Sequence, residues 1–319
     1  MIRLIRHVLL LACVALVAAC GGGDDHPAPV SIAATATANP NLSALVAAAT
    51  KAGLVPTLSA ADTKLTVLAP TDAAFTALAT RLGFASATAL VNGLSADTLR
   101  SILQYHVLTG SRTAAAIAAS SNQPTTYNFP AGTTTSVAVS VTNNAVRLTD
   151  AVLTAAQVVT ADVAASNGVV HVIDKVLVPP GVLNVVQMAL LNPSFSSLTD
   201  ALAARNLVAT LSGAGPFTVF APTNTAFAAA PAGLTADQLS TVLTYHVLGS
   251  QVLSSGIPFG TPVTTLATPR TFTITAGPAP AIASIADSTA APARITAVDI
   301  RASNGVIHVI DKVLIPSPL

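Results

Sequence analysis

Two segments far apart in the chain share one pattern of apolar and polar positions. Residues 166–179 return at 303–316 as Ser-Asn-Gly, a run rich in Val and Ile, and a closing proline. Val and Ile suit a pleated, half-buried surface, whereas proline has no N–H to give to a strand. The repetition predicts a duplicated domain, in which each copy ends in a hairpin whose second arm lies in the core sheet.

Asparagine and glycine stand together just before each of these apolar runs. An Asn-Gly pair favours a type I′ turn, because that turn needs a positive φ at both of its central residues. Alternation along the run places one histidine per copy in a mainly apolar strand. We interpret these histidines as hydrogen-bonded structural imidazoles, with contact to a ligand as the alternative. The polar residues of the motif are Asn167, Gly168, His171, Asp174, Asn304, Gly305, His308 and Asp311.

The first copy, predicted at 41–180, mixes helical and strand periods. A helix is predicted directly after the start of this range, and residues 65–69 alternate as a strand that Pro70 ends. The residues 111–165 are rich in Thr, Val and Asn and predict a meander of strands, with a turn at 143–144. Side chains that can accept a hydrogen bond from a helix start are the N-cap candidates Thr71, Asp72 and Ser95.

The second copy, predicted at 181–319, repeats this order. Residues 195–207 predict a helix, and Thr235 with Gln238 predicts a capping box ahead of another. Between the copies, 179–181 reads Pro-Pro-Gly, which favours a short and stiff joint.

The first forty residues have the features of export and anchoring. Residues 1–19 combine two arginines with an apolar stretch too short to span a bilayer, which predicts a signal peptide. The sequence Val-Ala-Ala-Cys then resembles the lipobox of bacterial lipoproteins and predicts lipidation of Cys20; an ordinary signal peptide with an incidental cysteine is the alternative. Gly21 behind it favours an outer-membrane or surface destination. Residues 20–40 lack apolar periodicity and predict a flexible, lipidated tether.

Composition narrows the range of partners. Charged residues make up 8% of the chain, and 14 Lys and Arg nearly balance 13 Asp and Glu. Because no basic run or patch occurs, the sequence predicts no nucleic-acid partner. A surface with so little net charge repels itself weakly, which favours weak self-association. The only cysteines are Cys13 and Cys20, so the domains contain no disulfide.

Three motifs occur in the same order in both copies. They are Ala-Pro-Thr-Asp/Asn-x-Ala-Phe at 69–75 and 221–227, Tyr-His at 105–106 and 245–246, and the hairpin segment. Together they resemble the fasciclin domain over nearly the whole mature chain. The resemblance implies an α+β fold, with two tandem fasciclin-like β-wedges of antiparallel and mixed strands flanked by short helices. It also implies an extracellular adhesion module without catalytic machinery.

The resemblance also suggests candidate partner-binding residues. The Tyr-His pairs, and an Asp-Ile pair before the last hairpin, are linked to adhesion in some animal members of the family. For the Tyr-His pairs we prefer packing and hydrogen bonding at the end of an apolar helix, with direct contact to a partner as the alternative. The matching positions are Tyr105, His106, Tyr245, His246, Asp299 and Ile300, with Asp162 as a weaker match in the first copy.

Catalytic motifs are missing from the sequence. No nucleophile elbow, zinc-binding helix or phosphate-binding glycine loop occurs, so we predict no enzyme activity and no cofactor. A metal remains an alternative only if His106 and His171, or His246 and His308, converge with a nearby aspartate. We predict no metal site, because a shared structural need explains the duplication equally well.

Two functions fit these observations. The first is a surface-anchored, extracellular adhesion protein that binds protein or matrix partners through its wedge faces and is held in the membrane by lipid. The second is a cell-envelope carrier for a small apolar or glycan ligand. The chain has no Trp and only three Tyr, so the flat aromatic platforms that bind sugars are scarce. A large apolar pocket lined by the many Ala, Val and Leu residues would favour the lipid version of the second function.

Overall fold

The computed structural model of the chain describes residues 30–130, 132–277 and 282–319. Within these ranges no helix is both long and apolar enough to cross a membrane. The predicted signal peptide, the predicted lipidation site Cys20 and residues 20–29 of the predicted tether lie outside the described residues.

The first half alternates short helices with strands. Its helices are α1 (Ile32–Ala38), α2 (Ser43–Lys51), α3 (Val55–Ser59), α4 (Asp72–Arg81), α5 (Ala87–Gly93), α6 (Ala96–Tyr105) and α7 (Ala114–Ala118). Its strands are β1 (Leu65–Pro70), β2 (Val107–Thr109), β3 (Asn122–Asn128), β4 (Thr134–Thr142), β5 (Ala145–Thr149), β6 (Ala155–Ala165) and β7 (Gly168–Ile173).

The second half has a closely similar order. Its helices are α8 (Val185–Leu191), α9 (Ser196–Ala204), α10 (Val208–Leu211), α11 (Asn224–Ala228) and α12 (Ala236–Tyr245). Its strands are β8 (Phe217–Pro222), β9 (Val247–Leu248), β10 (Pro262–Thr264), β11 (Thr271–Ala276), β12 (Ala283–Ala286), β13 (Ala293–Ala302) and β14 (Gly305–Ile310). Short 3-10 turns occur at Pro40–Leu42, Pro193–Phe195 and Ser254–Gly256.

Each half builds one mixed sheet, so the predicted α+β architecture is confirmed. The strand order is β2-β1-β7-β6-β5-β4-β3 in the first sheet and β10-β11-β12-β13-β14-β8-β9 in the second. In each sheet the last strand runs parallel to the first one and antiparallel to the meander. The last strand therefore joins the helical part of its domain to the meander.

The predicted terminal hairpins are present, but their turns differ from the prediction. Strands β6 and β7 pair up to Ala165 and Gly168, which leaves 166–167 as the turn. Neither turn residue has a positive φ, so the predicted type I′ turn is wrong. Two successive positive φ angles occur instead at Asn143 (50°) and Asn144 (61°), between β4 and β5. The second hairpin, between β13 and β14, repeats the arrangement of the first.

The glycine of each hairpin is required by close approach of a neighbouring strand. A Cβ atom on Gly168 would lie 1.8 Å from the carbonyl oxygen of Leu65, the first residue of β1. A Cβ atom on Gly305 would lie 2.2 Å from the carbonyl oxygen of Phe217 in β8. No other residue leaves room for the parallel strand at this point.

The end of the predicted tether is folded, so its boundary at residue 40 is wrong. Helix α1 begins after Ser31, whose side chain accepts a hydrogen bond from the N–H of Ala34. Ile32 and Ala36 are 1% and 8% exposed, because they pack on the sheet and on neighbouring helices. An i, i+4 pair of apolar residues is enough to hold this short helix once a sheet lies beneath it.

Several predicted helix starts are confirmed by their caps. Thr71, and not Asp72, accepts from the backbone at the start of α4. Ser95 caps α6, and Thr235 forms the predicted capping box with Gln238 at α12. These caps satisfy N–H groups that have no partner inside the helix.

The joint between the halves is short and is bonded on both sides. The N–H of Gly181 donates to the carbonyl of Arg301 at 2.9 Å. The side-chain amide of Asn192, in the second half, donates to the carbonyl of Val152 in the first at 2.9 Å. One hydrophobic cluster also contains buried residues of both halves. The two sheets are thus connected by packing and hydrogen bonds as well as by the chain.

Candidate functional site

The first Tyr-His pair lies inside the protein. His106 is 1% exposed; its Nδ1 donates to the carbonyl of Ile102 at 2.8 Å, and its Nε2 accepts from the N–H of Leu177 at 2.9 Å. Burial lowers the pKa of His106 to about 4; the bond to Ile102 opposes the shift and nearby Lys175 adds to it. The ring is therefore neutral, and it ties the end of α6 to the segment after β7.

The second Tyr-His pair repeats this geometry. His246 is 2% exposed, donates from Nδ1 to the carbonyl of Val242 at 2.7 Å and accepts at Nε2 from Leu314 N–H at 2.8 Å. Burial lowers its pKa to about 4 as well. Each histidine thus holds the segment that follows the last strand of its domain.

The two tyrosines of these pairs are equally enclosed. Tyr105 and Tyr245 are each 2% exposed, and their hydroxyls donate to the carbonyls of Ser136 at 3.1 Å and Thr271 at 2.8 Å. Burial raises the pKa of Tyr245 to about 12 and raises that of Tyr105 further. Both Tyr-His pairs are therefore packed and hydrogen-bonded inside the folded protein, and their direct contact with a partner stays a prediction that their small exposed surface does not support.

The histidine of the first hairpin motif holds a bulge in the neighbouring strand. His171 is fully buried, and its Nε2 donates to the carbonyl of Arg112 at 2.8 Å. Its Nδ1 accepts from the N–H of Asp162 at 3.1 Å. Asp162 lies in a β-bulge with φ 59°, and its carboxylate accepts from the N–H of Ala114 at the start of α7. This candidate residue is exposed, although its carboxylate also supports the helix.

The second copy places its equivalents in the same way. His308 donates to the carbonyl of Val252 at 2.8 Å and accepts from Asp299 N–H at 3.4 Å. Burial lowers the pKa of His308, even though the Val252 carbonyl and Asp299 oppose the shift. Asp299 has φ 60° and accepts from the N–H and hydroxyl of Ser254 at 2.9 and 2.5 Å. Asp299 is half-buried and Ile300 is 3% exposed, so Ile300 has no surface to offer a partner.

The asparagine of each motif performs a task that sequence reasoning missed. Asn167 is fully buried; it accepts from the N–H of Ile32 at 2.8 Å and donates to the carbonyls of Leu58 and Ala60 at 3.0 and 2.9 Å. It therefore connects the hairpin to the first and third helices. The residues that repeat these three bonds around Asn304 are Val185, Leu211 and Gly213.

A buried acid-base pair in the first domain was also missed. The side chain of Asp150 is fully buried and accepts from the amine of Lys175 and from the N–H groups of Val178, Val152 and Thr154. The signal was partial: the lysine recurs in both copies of the motif, whereas the aspartate lies in unrelated local sequence.

The second domain has the matching pair. Asp287 accepts from Lys312 at 2.9 Å, from Ile315 N–H at 2.8 Å and from the hydroxyl of Thr289 at 2.6 Å. Burial alone would raise the pKa of this carboxyl, but these hydrogen bonds outweigh it and hold the pKa below its ordinary value. A single buried carboxylate in each domain thus anchors the segment after the last strand.

The remaining motif residues also serve the fold. The carboxylate of Asp174 accepts from Gln157 N–H at 2.7 Å, and that of Asp311 accepts from Arg294 N–H at 2.7 Å. Among the described residues no group of three His, Cys, Asp or Glu lies close enough to hold a metal ion. The four histidines of these domains use both ring nitrogens within the protein.

The model of one family, the Fasciclin domain, matches residues 40–179 and again 193–316. The chain belongs to the fasciclin domain family. The two tandem fasciclin domains account for both sheets, and the residues between the matches include the joint and helix α8.

Relatives from several organisms share parts of this chain. Protein sll1483 of Synechocystis is 38% identical over 142 residues, which cover 42% of this chain and 74% of the relative. The cell surface glycolipoprotein MPB83 of Mycobacterium bovis is 49% identical over 78 residues, or 21% of this chain and 34% of that protein. A solved fasciclin domain pair from the insect cell adhesion molecule fasciclin I covers 88% of this chain and 95% of its own, at 18% identity and a TM-score of 0.43.

A cleft lies between the two fasciclin domains. Its volume is about 410 Å³, and it is lined from the first domain by Tyr105, Ser136 and Phe129 among others. The second domain contributes Asp299 and Arg301. Because residues of both domains form its walls, the cleft exists only in the tandem arrangement.

Proposed function

We propose that the chain is a surface-anchored adhesion protein that binds a protein or matrix partner and does not transform it. Fasciclin domains occur in cell-adhesion and cell-surface proteins, and MPB83 is named a cell surface glycolipoprotein. The lipobox-like sequence before Cys20 supports an outer-membrane or surface anchor of the same kind.

The observation that carries the proposal is the bonded joint between the domains. The hydrogen bonds of Gly181 and Asn192 and the shared hydrophobic cluster hold the two domains together, so a partner meets them in a defined arrangement. Preorganisation of this kind reduces the entropy lost on binding. The duplicated Tyr, His and Asn side chains hold the fold, so the contact surface must use residues that differ between the copies.

The cleft between the domains supplies one such residue, Arg301, which stands where the first domain has Ala164. Asp299 and Arg301 stand on its wall, and Asp162 is exposed elsewhere on the first domain. The charged lining residues are Arg301, Asp299 and Asp150, of which Asp150 is already paired with Lys175. Such a cleft favours a partner segment that carries both charges or polar groups. We assign Arg301 as the main contact, because Asp299 is already bonded to Ser254.

Attachment assays with the parent organism test this function. Deletion of the gene is expected to reduce attachment to cells or surfaces, and the wild-type gene is expected to restore it. The variant Cys20→Ser keeps both domains but removes the proposed lipid, so it should not restore attachment. Arg301→Ala should restore it only in part, whereas the control Asp237→Ala, on an exposed turn of α12, should restore it fully.

Two results would contradict the proposal. Attachment that is unchanged by the deletion under every condition removes the adhesion function. Full rescue by Cys20→Ser would show that adhesion does not need the lipid anchor.

Sedimentation of the purified chain at increasing concentration tests the predicted weak self-association, which should grow as salt screens the few charges.

A further inference from the structure

An apolar cavity opens between the helices and the sheet of the first domain. Its volume is about 180 Å³. Strands β1 and β7 form the floor with Val67, Ala69 and Val170, and helices α1 and α2 form the walls with Ala36 and Ala49 among others. The three floor residues are almost completely buried, so the cavity reaches the core sheet.

The walls of the cavity offer almost no polar groups. The two hydroxyls on it, from Thr37 and Thr50, donate to the carbonyls of Ala33 and Val46 in their own helices at 2.9 and 2.8 Å. No charged side chain lines it. A polar ligand would leave its own hydrogen bonds unmade inside, which costs about 1–3 kcal/mol for each lost partner. The walls therefore select hydrocarbon.

The second domain shows what fits in this space. Residues 31–60 align with 184–213 without a gap, and both contain Asn-Pro at the ninth and tenth positions. Within this stretch three cavity positions have larger apolar side chains in the second domain; in the order Ala33, Thr37, Ala49 these are Val186, Leu190 and Leu202.

The larger side chains of the second domain lie in its core. Leu202 and Val186 are each 4% exposed and belong to the main hydrophobic cluster. At some cavity positions the first domain has the larger side chain, but these differences are small or lie at the surface. Ile32 corresponds to Val185, which is one methylene smaller, and Thr50 lies at the exposed rim. The second domain thus fills with its own alkyl groups the place that the first domain leaves open.

We propose that the cavity of the first domain binds the end of an alkyl chain from a fatty acid or similar single-chain amphiphile. An apolar cavity of about 150 Å³ holds a benzene molecule, so this one accepts about six carbon atoms. Val55, which is 36% exposed, and Thr37 stand at the opening. The rest of the alkyl chain and the head group of the ligand extend through that opening into water. No charged side chain of the cavity contacts the head group.

Calorimetric titration of the full chain tests the site. Cys20→Ser is introduced so that neither a covalent lipid nor detergent is present. The probes are butanoate, hexanoate and decanoate below their micelle concentrations. One saturable site per chain is expected, with affinity that rises about fourfold per methylene until about six carbons are buried. Decyltrimethylammonium should bind as tightly as decanoate within about threefold.

Variants of the first domain locate the site. Ala49→Leu copies the second domain and should weaken decanoate binding at least about tenfold. Ala34→Leu, on the exposed side of α1, adds the same side chain and should bind like wild type. Thr37→Leu, which copies Leu190 at the rim, is a second filling variant should Ala49→Leu not fold.

Two outcomes would overturn the inference. One is the lack of saturable binding to the full chain, which is also the result expected if residues before Val30 occupy the cavity. The other is wild-type affinity in folded Ala49→Leu and Thr37→Leu. Attachment assays do not enter this test, so it fails or succeeds independently of the adhesion function.

Discussion

The two domains hold their last hairpins with the same polar bonds but pack their first helices differently. Asn167 and Asn304 each make three matching bonds to the helices, and His106 and His246 each accept one N–H after the last strand. Beneath those helices, by contrast, Ala49 of the first domain faces the space that Leu202 fills in the second.

The difference shows which interactions can vary independently. Removing one partner of a buried hydrogen bond leaves the other unsatisfied, at a cost of about 1–3 kcal/mol, so the partners change only together. An apolar side chain can be replaced by a smaller one, which leaves a cavity. The cavity lowers the stability of the fold less when it is open to solvent or filled by a ligand. The buried hydrogen bonds of the hairpins are therefore the same in the two domains, whereas the sizes of the apolar side chains in the core differ.

The largest effect is expected from the hairpin glycines, which should behave alike in both domains. Gly168→Ala and Gly305→Ala each drive a Cβ into a backbone carbonyl, at 1.8 and 2.2 Å. We expect each to lower the free energy of unfolding by more than about 4 kcal/mol, because a backbone strand must move. Chemical denaturation followed by circular dichroism measures it.

Gly83 supplies the control for this experiment. Its φ is 80°, and nothing lies within 4 Å of an added Cβ. Gly83→Ala should cost only about 1 kcal/mol, from backbone strain alone. Equal losses at Gly83 and Gly168 would show that strand approach is not what requires the hairpin glycine.

The next effect should separate the two domains. Leu202→Ala is expected to lower the free energy of unfolding by about 3–4 kcal/mol, because it opens a cavity in a filled core. The reverse exchange, Ala49→Leu, should change it by less than about 1 kcal/mol, since the space already exists. Denaturant titration of both variants checks this. A loss of 3 kcal/mol in Ala49→Leu would mean that the cavity is not available to a leucine.

Acid should destabilise both domains by similar amounts. The pKa of His106 and of His246 is about 4 in the folded chain and about 6.5 when unfolded, so the unfolded state binds more protons between these values. Stability is therefore full above pH 6.5 and falls as the pH drops toward 4, by about 3 kcal/mol per histidine. Asp287, whose pKa lies below its ordinary value, adds its loss only below about pH 4.

Denaturation at pH 7 and pH 4.5 measures this dependence. His106→Gln cannot take up a proton, so its stability should be lower at pH 7 but should fall less between the two pH values. His246→Gln is the matched variant of the other domain. If the free energy of unfolding of both variants fell between pH 7 and pH 4.5 as much as that of the wild type, the acid sensitivity could not be assigned to these rings.

The smallest effect is expected at the helix caps. Ser95→Ala at α6 and Thr235→Ala at α12 should each cost about 1 kcal/mol, because each frees a backbone N–H. Gln238→Ala should cost a few tenths of that, and only in the second domain, where it closes the capping box. Thermal melts of the three variants compare the domains. Equal costs for all three would contradict the predicted order.

Much of the fold could be predicted from local patterns. Pro70 ends β1, Ser95 and Thr235 cap their helices, and the meander and terminal hairpins lie where alternation predicts them. These features depend on neighbours within a few residues, which the sequence displays directly.

The missed features depend on distant parts of the chain. Asn-Gly at 167–168 looked like a turn signal, but the asparagine reaches Ile32, 135 residues away, and the glycine makes room for β1. The sequence of helix α1 predicts a tether, because its Ala and Thr residues show little periodicity. The matching Asn-Pro at 39–40 and 192–193 was the signal that could have revealed it.

The sequence favours burial of the Tyr-His pairs but does not decide it. Their position at the end of an apolar helix fits both packing and display, and only the bond from Leu177 N–H to His106 decides between them. The same holds for Asp150, whose partner Lys175 is recognisable only after the sheet brings them together.

The strand order has a consequence for synthesis and export. In each domain the final strand lies between the first strand and the meander, so β1 finds its inner neighbour only when residues 168–173 arrive. A nascent chain that stops short of them exposes two unconnected sheet fragments. We therefore expect each domain to stay unfolded until its own last segment has been made, which suits the proposed export of one domain at a time.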